Sequence, residues 1–540
     1  RVRAKRYTDN VVDLVIVKLN RLPPETLAPL HQLACIGASA EFSLLGTVGK
    51  TSQEDLHQSL WEAVRSGLVH RSENAYAFQH DRVQEAAYSL IPEESRAEVH
   101  LRIGRLLVGH TTPDEREEII FEIVNQFNRG TELITSENER FQVAELNLVA
   151  GKRAKASTAY SSAIRYFIAG EALLSDDPWE RRHDLLFQLE SHRAECEFLT
   201  GELAVAAERI EMLRTRAANT VELATATCLG IDIYVTLGQI DHAVAIGLDY
   251  LHGLGIECPL HPTEEQVRRE YERIWTLLGS REIEEVIDFP LMSDPTSIAT
   301  LDVLTKVSTP AIFTDTHLYA LVICRAITLS IERGNNDGSC FLYVLLGTVA
   351  GHGFGDYKNA FRFGQLGYDL VEKRGLKRFQ AATSTVFTIG TMPWMKHLMA
   401  CRSVLRQAFE VATRIGDLTW AAYNRLALNT LLVAAGVPLV EVQSETESGL
   451  NFAQKAKFGL AAGLATMQLG HIRTLRGTTK TFGSLGHAEF DEIAFERNLD
   501  GYPAAAHLYY WVRKLQARFF AGDFASAIEA SLKARPHLLT

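Results

Sequence analysis

One short string recurs along this chain and restricts its fold more than any other feature: a glycine, any residue, an apolar residue, two residues of any kind, then alanine. It stands at Gly201-Glu202-Leu203 to Ala206, Gly238-Gln239-Ile240 to Ala243, Gly355-Asp356-Tyr357 to Ala360 and Gly522-Asp523-Phe524 to Ala527. An apolar helical stretch precedes each glycine, and an Ala-rich amphipathic stretch follows it. Glycine there can take the left-handed conformation that ends one helix and opens a tight turn, and the alanine lets the second helix pack closely on the first. Ala156, Tyr160, Ala163 and Tyr166 repeat the small-aromatic alternation on one further second helix, and Gly416-Asp417 and Gly436 punctuate two more helix ends. Helical periodicity extends almost everywhere, and strand alternation almost nowhere.

A period of about 34 to 45 residues with this alternation is that of tetratricopeptide-like repeats, in which each helical pair buries its face only against its neighbours. Residues 137–540 would hold about nine or ten such pairs. At about 150 residues per domain, 540 residues would make three or four globular domains. A repeat array instead makes most of that length one quasi-linear body. The fold class expected is all-α: a short winged-helix domain followed by a long tetratricopeptide-like α–α superhelix. The register breaks at residues 258–308, which carry Pro259, Pro262, Pro290 and Pro295, and at 479–502, with Phe482, Phe490 and Phe495. These segments are expected to brace the solenoid or to form binding loops.

The first 136 residues follow other rules. Thr8 or Asp9 can cap a helix with Val12, Val15, Leu19 and Leu22 at near-helical spacing, stopped by Pro23-Pro24. Residues 25–92 predict three helices, over 25–35, 42–48 and from a Thr51 or Ser52 cap with Leu56, Leu60, Val64 and Leu68 along one face. A hairpin follows, Leu68 to Arg71 and Ala75 to Phe78 around Ser72-Glu73-Asn74. Three helices and a two-stranded wing are the order of a winged helix. Residues 93–136 read as a helical linker.

Composition narrows function. Lys and Arg total 55 against 66 Asp and Glu, a net charge of −11, whereas phosphate neutralisation needs a basic surface. The third helix carries Glu54, Asp55 and Glu62 against Arg65 and a flanking Lys50, so it would repel a DNA backbone. No nucleic-acid partner is expected. Seven scattered cysteines with no CxxC pair predict buried thiols of a reduced cytoplasm. The most apolar run, His317 to Ile331, contains Arg325 and is too short to span a bilayer. No membrane partner is expected. There is no HExxH and no GxSxG, and Cys258 with His261 stands alone, so no metal ligand or nucleophile is nominated. Acidic runs at Asp114 to Glu118 and Glu282 to Glu285 predict solvated helix faces. Lys152, Arg153 and Lys155 predict a surface group that a partner could touch. Trp179, Trp394, Trp420 and Trp511 are expected in the core. A start at Arg1 without methionine predicts a piece of something longer.

Two motifs carry possible chemistry. Gly46-Thr47-Val48-Gly49-Lys50-Thr51 resembles part of a phosphate loop, but Leu44 stands where the pattern needs its first glycine, and a helical segment precedes it where a working loop follows a strand. Capping of the third helix is the simpler reading. The sharper motif is Phe78-Gln79-His80-Asp81-Arg82, where a strand runs into a helix. His80 can cap that helix and Asp81 sits favourably at its N-terminus.

His80-Asp81 at this place resembles the His-Asp of the Met-His-Asp motif in signal-transduction ATPases with numerous domains (STAND ATPases), with Gln79 replacing the methionine. The resemblance implies that His80 contacts the diphosphate of ADP held by an upstream domain, so that His80 and Asp81 sense the nucleotide state. Further segments carry the likeness along nearly the whole chain. They are Tyr7 to Leu14, Ile123-Val124-Asn125-Gln126 with Asn128-Arg129-Gly130, Ala154 to Tyr160, Cys196 to Gly201 and Arg513 to Arg518. Together they are similar to the middle region of large bacterial multi-sensor kinases, which join a serine/threonine kinase, an ATPase, helical repeats, a GAF domain and a histidine kinase. The resemblance implies that residues 1–24 end the ATPase lid, that the Walker motifs lie upstream of Arg1, and that this chain holds no enzyme and no cofactor of its own. ADP or ATP would be bound with the upstream nucleotide-binding domain, and a protein, peptide or small inducer would bind the superhelix. Two alternatives stay open: a structural spacer between sensor and kinase domains, and a nucleotide-binding enzyme acting through residues 46–51.

Overall fold

Pro23-Pro24 is the first break the chain imposes. The computed structural model describes residues 12–174, 177–487, 490–499 and 504–537. The first part of the expected lid and of the Tyr7 to Leu14 segment lies outside these residues. The chain divides into two compact units, Arg1–Arg216 and Ala217–Thr540.

In the first unit, helix α1 (residues 12–19) sets Val12, Val15, Ile16 and the fully buried Leu19 on the head core. Then come α2 (Pro24–Ile36), β1 (Ser39–Glu41), α3 (Phe42–Gly49), α4 (Gln53–Arg65), β2 (Val69–Arg71) and β3 (Ala75–Phe78). Pro24 suits the first turn of α2, where its missing N–H has no helical partner to lose. Ser52 caps α4 by accepting the Asp55 N–H. Leu56, Leu60 and Ala63 face the core while Trp61 is exposed. The sheet has three antiparallel strands in the order β1-β3-β2, one more than the hairpin expected. Tyr76 lies at its centre, 1% exposed, with its hydroxyl 2.8 Å from His57 Nδ1.

Helices α5 (Asp81–Ser89), α6 (Glu93–His110) and α7 (Ile120–Arg129) follow. Residues 93–129 pack into one core with Cys35, Val48, Val143 and Phe167. Two helical hairpins complete the unit: α8 (Glu137–Ala156) with α9 (Tyr160–Leu173), and α10 (His183–Thr200) with α11 (Leu203–Arg216). Ala156 therefore belongs to the first helix of its pair and not, as expected, to the second. The turn between them is made without glycine, by Thr158 at φ 59°.

The second unit continues with α12 (Thr220–Thr236) and α13 (Ile240–Gly253), then a single helix α14 (Glu264–Leu278). Four more hairpins follow. They are α15 (Pro295–Thr314) with α16 (Thr316–Arg333), α17 (Asp337–Phe354) with α18 (Tyr357–Arg374), α19 (Gln380–Gly390) with α20 (Leu398–Ile415), and α21 (Leu418–Ala434) with α22 (Leu439–Lys455). Helix α23 (Gly459–Leu475) takes the irregular segment from 479 in place of a second helix, and α24 (Ala504–Phe520) pairs with α25 (Phe524–Ala534). Within each unit the second helix of one pair packs on the first helix of the next, as α9 on α10, α13 on α15 and α20 on α21. That nearest-neighbour order makes the protein mostly α-helical and repetitive, and the recurring string explains it. Gly201, Gly238, Gly355 and Gly522 all have φ between 70° and 89°, and Ala206, Ala243, Ala360 and Ala527 are all buried.

Both irregular stretches brace. Residues 264–278 are helical despite the flanking prolines, because Thr263 and Gln266 form a reciprocal capping box. Asn335 ties its side chain to the Val286 carbonyl at 2.9 Å. Near 479, Leu485 is fully buried, and Phe490 and Phe495 pack against Tyr510 and its neighbours, while Phe482 stays half exposed.

Candidate functional site

Strand β3 ends at Phe78, and the Gln79 N–H still donates to the Leu68 carbonyl at 2.9 Å, so the sheet holds the chain up to the residue before His80. His80 is then the N-cap of α5, in extended conformation. Its Nδ1 accepts the Arg82 N–H at 3.2 Å. An imidazole nitrogen that accepts from a backbone N–H carries no proton, so the neutral ring bears its hydrogen on Nε2. His80 and Asp81 are both exposed. Asp81 opens the first turn, where a carboxylate meets the positive end of the helix. Arg82 pairs with Glu85 at 2.6 Å. The capping expected of His80 is present, and the same bond leaves an outward N–H donor at a fixed place on the head.

Residues 46–51 end α3. Lys50 takes a left-handed conformation, φ 51° and ψ 43°. The Lys50 and Thr51 N–H groups donate to the Thr47 and Gly46 carbonyls at 3.3 and 3.0 Å. Those donors close a helix end, so they do not form a cradle that could meet a phosphate.

Several sequence-level expectations change. Trp394 is 58% exposed and leans on Tyr357 at 5.3 Å rather than lying in the core. Trp511 is buried, and Trp179 and Trp420 are half-buried. Glu282 and Glu284 are exposed as expected, and Arg362 pairs with both. The basic group on α8 is spoken for within its own unit. Arg153 caps the Glu117 and Glu118 carbonyls, Lys152 reaches Gln188 at 2.8 Å, and Lys155 reaches Glu195 at 2.5 Å. Among the described residues no three His, Cys, Asp or Glu side chains are placed to hold a metal, and no helix is long and apolar enough to cross a membrane. The seven cysteines are free, and burial raises their thiol pKa values, to about 11 for Cys35, Cys196 and Cys258.

Other arrangements had no motif to announce them. In the first unit Glu171, Glu190 and Glu197 meet Arg193 and Arg209, three acids on two bases, with Arg209 bidentate to Glu197 at 2.8 and 3.0 Å. A groove of about 500 Å³ runs between Pro23, Glu25 and the exposed Trp61 on acidic α4. In the second unit a groove of about 450 Å³ lies among α20, α21 and α22, with Asn424 in its lining. Its sequence signal was a polar residue at a core position, since Asn424 falls among Ala421, Ala422, Leu426 and Leu428, all buried.

A three-helix, three-strand head followed by stacked helical hairpins defines the class: a mostly α-helical repeat protein. No family model matches the chain. A hybrid signal transduction histidine kinase G from Dictyostelium discoideum is 22% identical over 559 aligned residues, which take in 88% of this chain and 16% of that protein. The chain thus spans about a sixth of the curated relative's length, and the similarity does not carry the bacterial source expected. Among solved structures, a Signal Transduction ATPase with Numerous Domains (STAND) protein with a tetratricopeptide repeat sensor from Pyrococcus horikoshii is 13% identical, with a TM-score of 0.44. The alignment covers 95% of this chain and 66% of that one.

Proposed function

We propose that this chain is the regulatory and scaffolding middle of a larger STAND-type signalling protein linked to kinase domains. Residues 25–92 act as a winged helix that reports the nucleotide state of an upstream ADP- or ATP-binding domain, and the helical repeats receive a protein or small-molecule signal. The observation that carries the reading is the likeness to a hybrid signal transduction histidine kinase along 88% of the chain. The geometry of His80 supports the sensing part. With Nδ1 occupied by the Arg82 N–H, Nε2 is a donor suited to a phosphate oxygen, available only when the head is closed on the nucleotide. Binding on the repeats shifts the closed and open populations, since a ligand moves an equilibrium by its difference in affinity for the two states.

The test uses the parent chain with its nucleotide domain, loaded with labelled ADP. His80→Asn keeps a capping side chain but loses the Nε2 donor. A lost hydrogen bond to a charged group costs about 1.5–3 kcal/mol, so ADP should leave about 10- to 100-fold faster at unchanged thermal stability. Equal ADP retention in variant and parent would exclude the sensing role.

A further inference from the structure

A helix that closes a repeat array in water needs a polar outer face, because only the inner pairs can bury theirs on a neighbour. Helix α25 has the reverse. Its small residues Ala527, Ala530 and Ala534 are buried, and α25 packs on α24. Its large apolar residues Phe524, Ile528 and Leu532 form a stripe at helical spacing on the other side, between 58% and 63% exposed. Phe519 and Phe520 at the end of α24 extend the patch, and Phe519 lies 5.8 Å from both Phe520 and Phe524. A contiguous apolar surface of this kind marks an interaction site.

The recurring string identifies the kind of interface. In the corresponding places after Gly238, helix α13 carries Ile240, Val244 and Leu248. Val244 is fully buried and the other two are half-buried, and α15 packs on that helix. The α25 stripe is the same helix-packing surface left open.

Three features of the stripe select a second copy of this chain as its occupant. It carries no charge, since Glu529 and Lys533 lie on its flank and neutralise each other at 2.7 Å, so two identical faces meet without like-charge repulsion. Its spacing is symmetric about Ile528: in an antiparallel pair Ile528 meets Ile528 and Phe524 meets Leu532, the self-complementarity a closed twofold contact requires. Its five large side chains present about 500 Å² of apolar surface, so two copies bury about 1,000 Å², enough for a specific interface. We infer that α25 and the end of α24 join two copies of this chain in an antiparallel twofold dimer. The dimer goes beyond the nucleotide reading and stands or falls without it.

The purified 540-residue chain is brought to sedimentation equilibrium at concentrations from about 1 to 100 µM. The average mass should rise from 60.1 kDa and approach twice that value, with a Kd of about 10 µM or tighter. Ile528→Glu sets two carboxylates against each other at the axis and should weaken association at least about tenfold, with helical content unchanged because the position is exposed. Val440→Glu, at an equally exposed apolar position on α22, should leave association as it was. Mixing Ile528→Glu with Ile528→Lys should restore the dimer, since the axis places residue 528 opposite itself. A chain that stays monomeric, which would assign the face to a further helix of a parent protein, overturns the inference. So does a mass that climbs past two copies, an equal effect of the two glutamates, or a mixture that fails to associate.

Discussion

Helices of a hairpin can approach closely only where one of them has no side chain to place between, and Gly151 makes this measurable. It lies inside α8 against Phe167 of α9. A Cβ added there would stand 2.2 Å from Phe167 Cε1, 2.6 Å from Cδ1 and 2.7 Å from Cζ. Carbon atoms pack at about 3.5–4.0 Å, so the ring or the helix would have to move by more than an ångström. Neither can do so freely. Phe167 is fully buried and stacked on His192 at 5.8 Å. Overpacking of this kind costs about 1–3 kcal/mol, offset by about 0.5–1 kcal/mol because alanine is the better helix former. Gly151→Ala should therefore destabilise the first unit by about 1–2 kcal/mol. Gly463 is the control: it lies inside α23 with nothing within 4 Å of the same Cβ, so Gly463→Ala should stabilise by about 0.5–1 kcal/mol. Thermal unfolding followed by circular dichroism reads the sign. At about 2–4 °C per kcal/mol for a unit of this size, Gly151→Ala should lower its transition by several degrees. Shifts of the same direction in both variants would refute the close-approach argument.

Three further outcomes follow. Thr158 holds a left-handed turn at φ 59° at about 1–2 kcal/mol of steric cost, so Thr158→Gly should raise the melting temperature slightly despite its added chain entropy, whereas Thr158→Val should lower it. Burial raises the Glu190 carboxyl from 4.5 to about 7, with Arg209 opposing and the neighbouring Glu171 adding to the rise. Folded protein then holds a proton that the unfolded chain releases, so the stabilisation is complete below about pH 4.5 and is lost as pH rises to about 7. Glu190→Gln should flatten that slope in urea titrations of the first unit. His471 behaves oppositely: burial, then the Arg513 charge, lowers it from 6.5 to about 3. The unfolded chain alone takes up the proton, so stability is full above 6.5 and declines as pH falls, and His471→Phe should remove the decline in the second unit.

The parts of the fold that were legible in the sequence are those with local causes. The Gly-to-Ala string located the turns because αL geometry favours one residue type, and Ser52 and His80 marked helix starts through their own caps. Strand β1 was missed because three residues cannot show alternation, and its pairing with Ala75 to Ala77 is decided by tertiary contact. Two turns between helices were invisible for the opposite reason: Thr158 and Lys457 adopt φ of 59° and 55° without glycine. The helix at 264–278 was hidden by its flanking prolines, although Thr263 and Gln266 spelled its capping box. At the sites the contrast is sharper. His80 and Asp81 are neighbours in sequence, so their junction could be read directly. The groove joins residues from 405 to 448 through the stacking of three helices, and no spacing rule predicts that Arg406 and Arg425 will share Glu445.

A repeat that only sets a distance has no use for polar groups in its interior, and this one carries several on the facing sides of its first helices. Gln468 of α23 donates to the Leu426 carbonyl and to Thr430 Oγ1, each at 2.9 Å, and Arg513 of α24 reaches the same Thr430 oxygen at 2.7 Å. Thr383 Oγ1, Asn424 Oδ1, Asn429 Oδ1 and His471 Nε2 are buried and take no partner. Each such atom lowers stability by about 1–3 kcal/mol relative to an apolar group of the same shape. Asn424 is the position where that cost can be removed cleanly. Its one hydrogen bond goes to Thr385 Oγ1, whose own hydroxyl still donates to the Ala381 carbonyl at 2.6 Å if the amide is lost. Asn424→Leu therefore orphans nothing and buries more carbon. It should raise the melting temperature of the second unit, read by thermal unfolding followed by circular dichroism. A melting temperature left unchanged or lowered by this substitution would refute the cost assigned to the unpaired carbonyl.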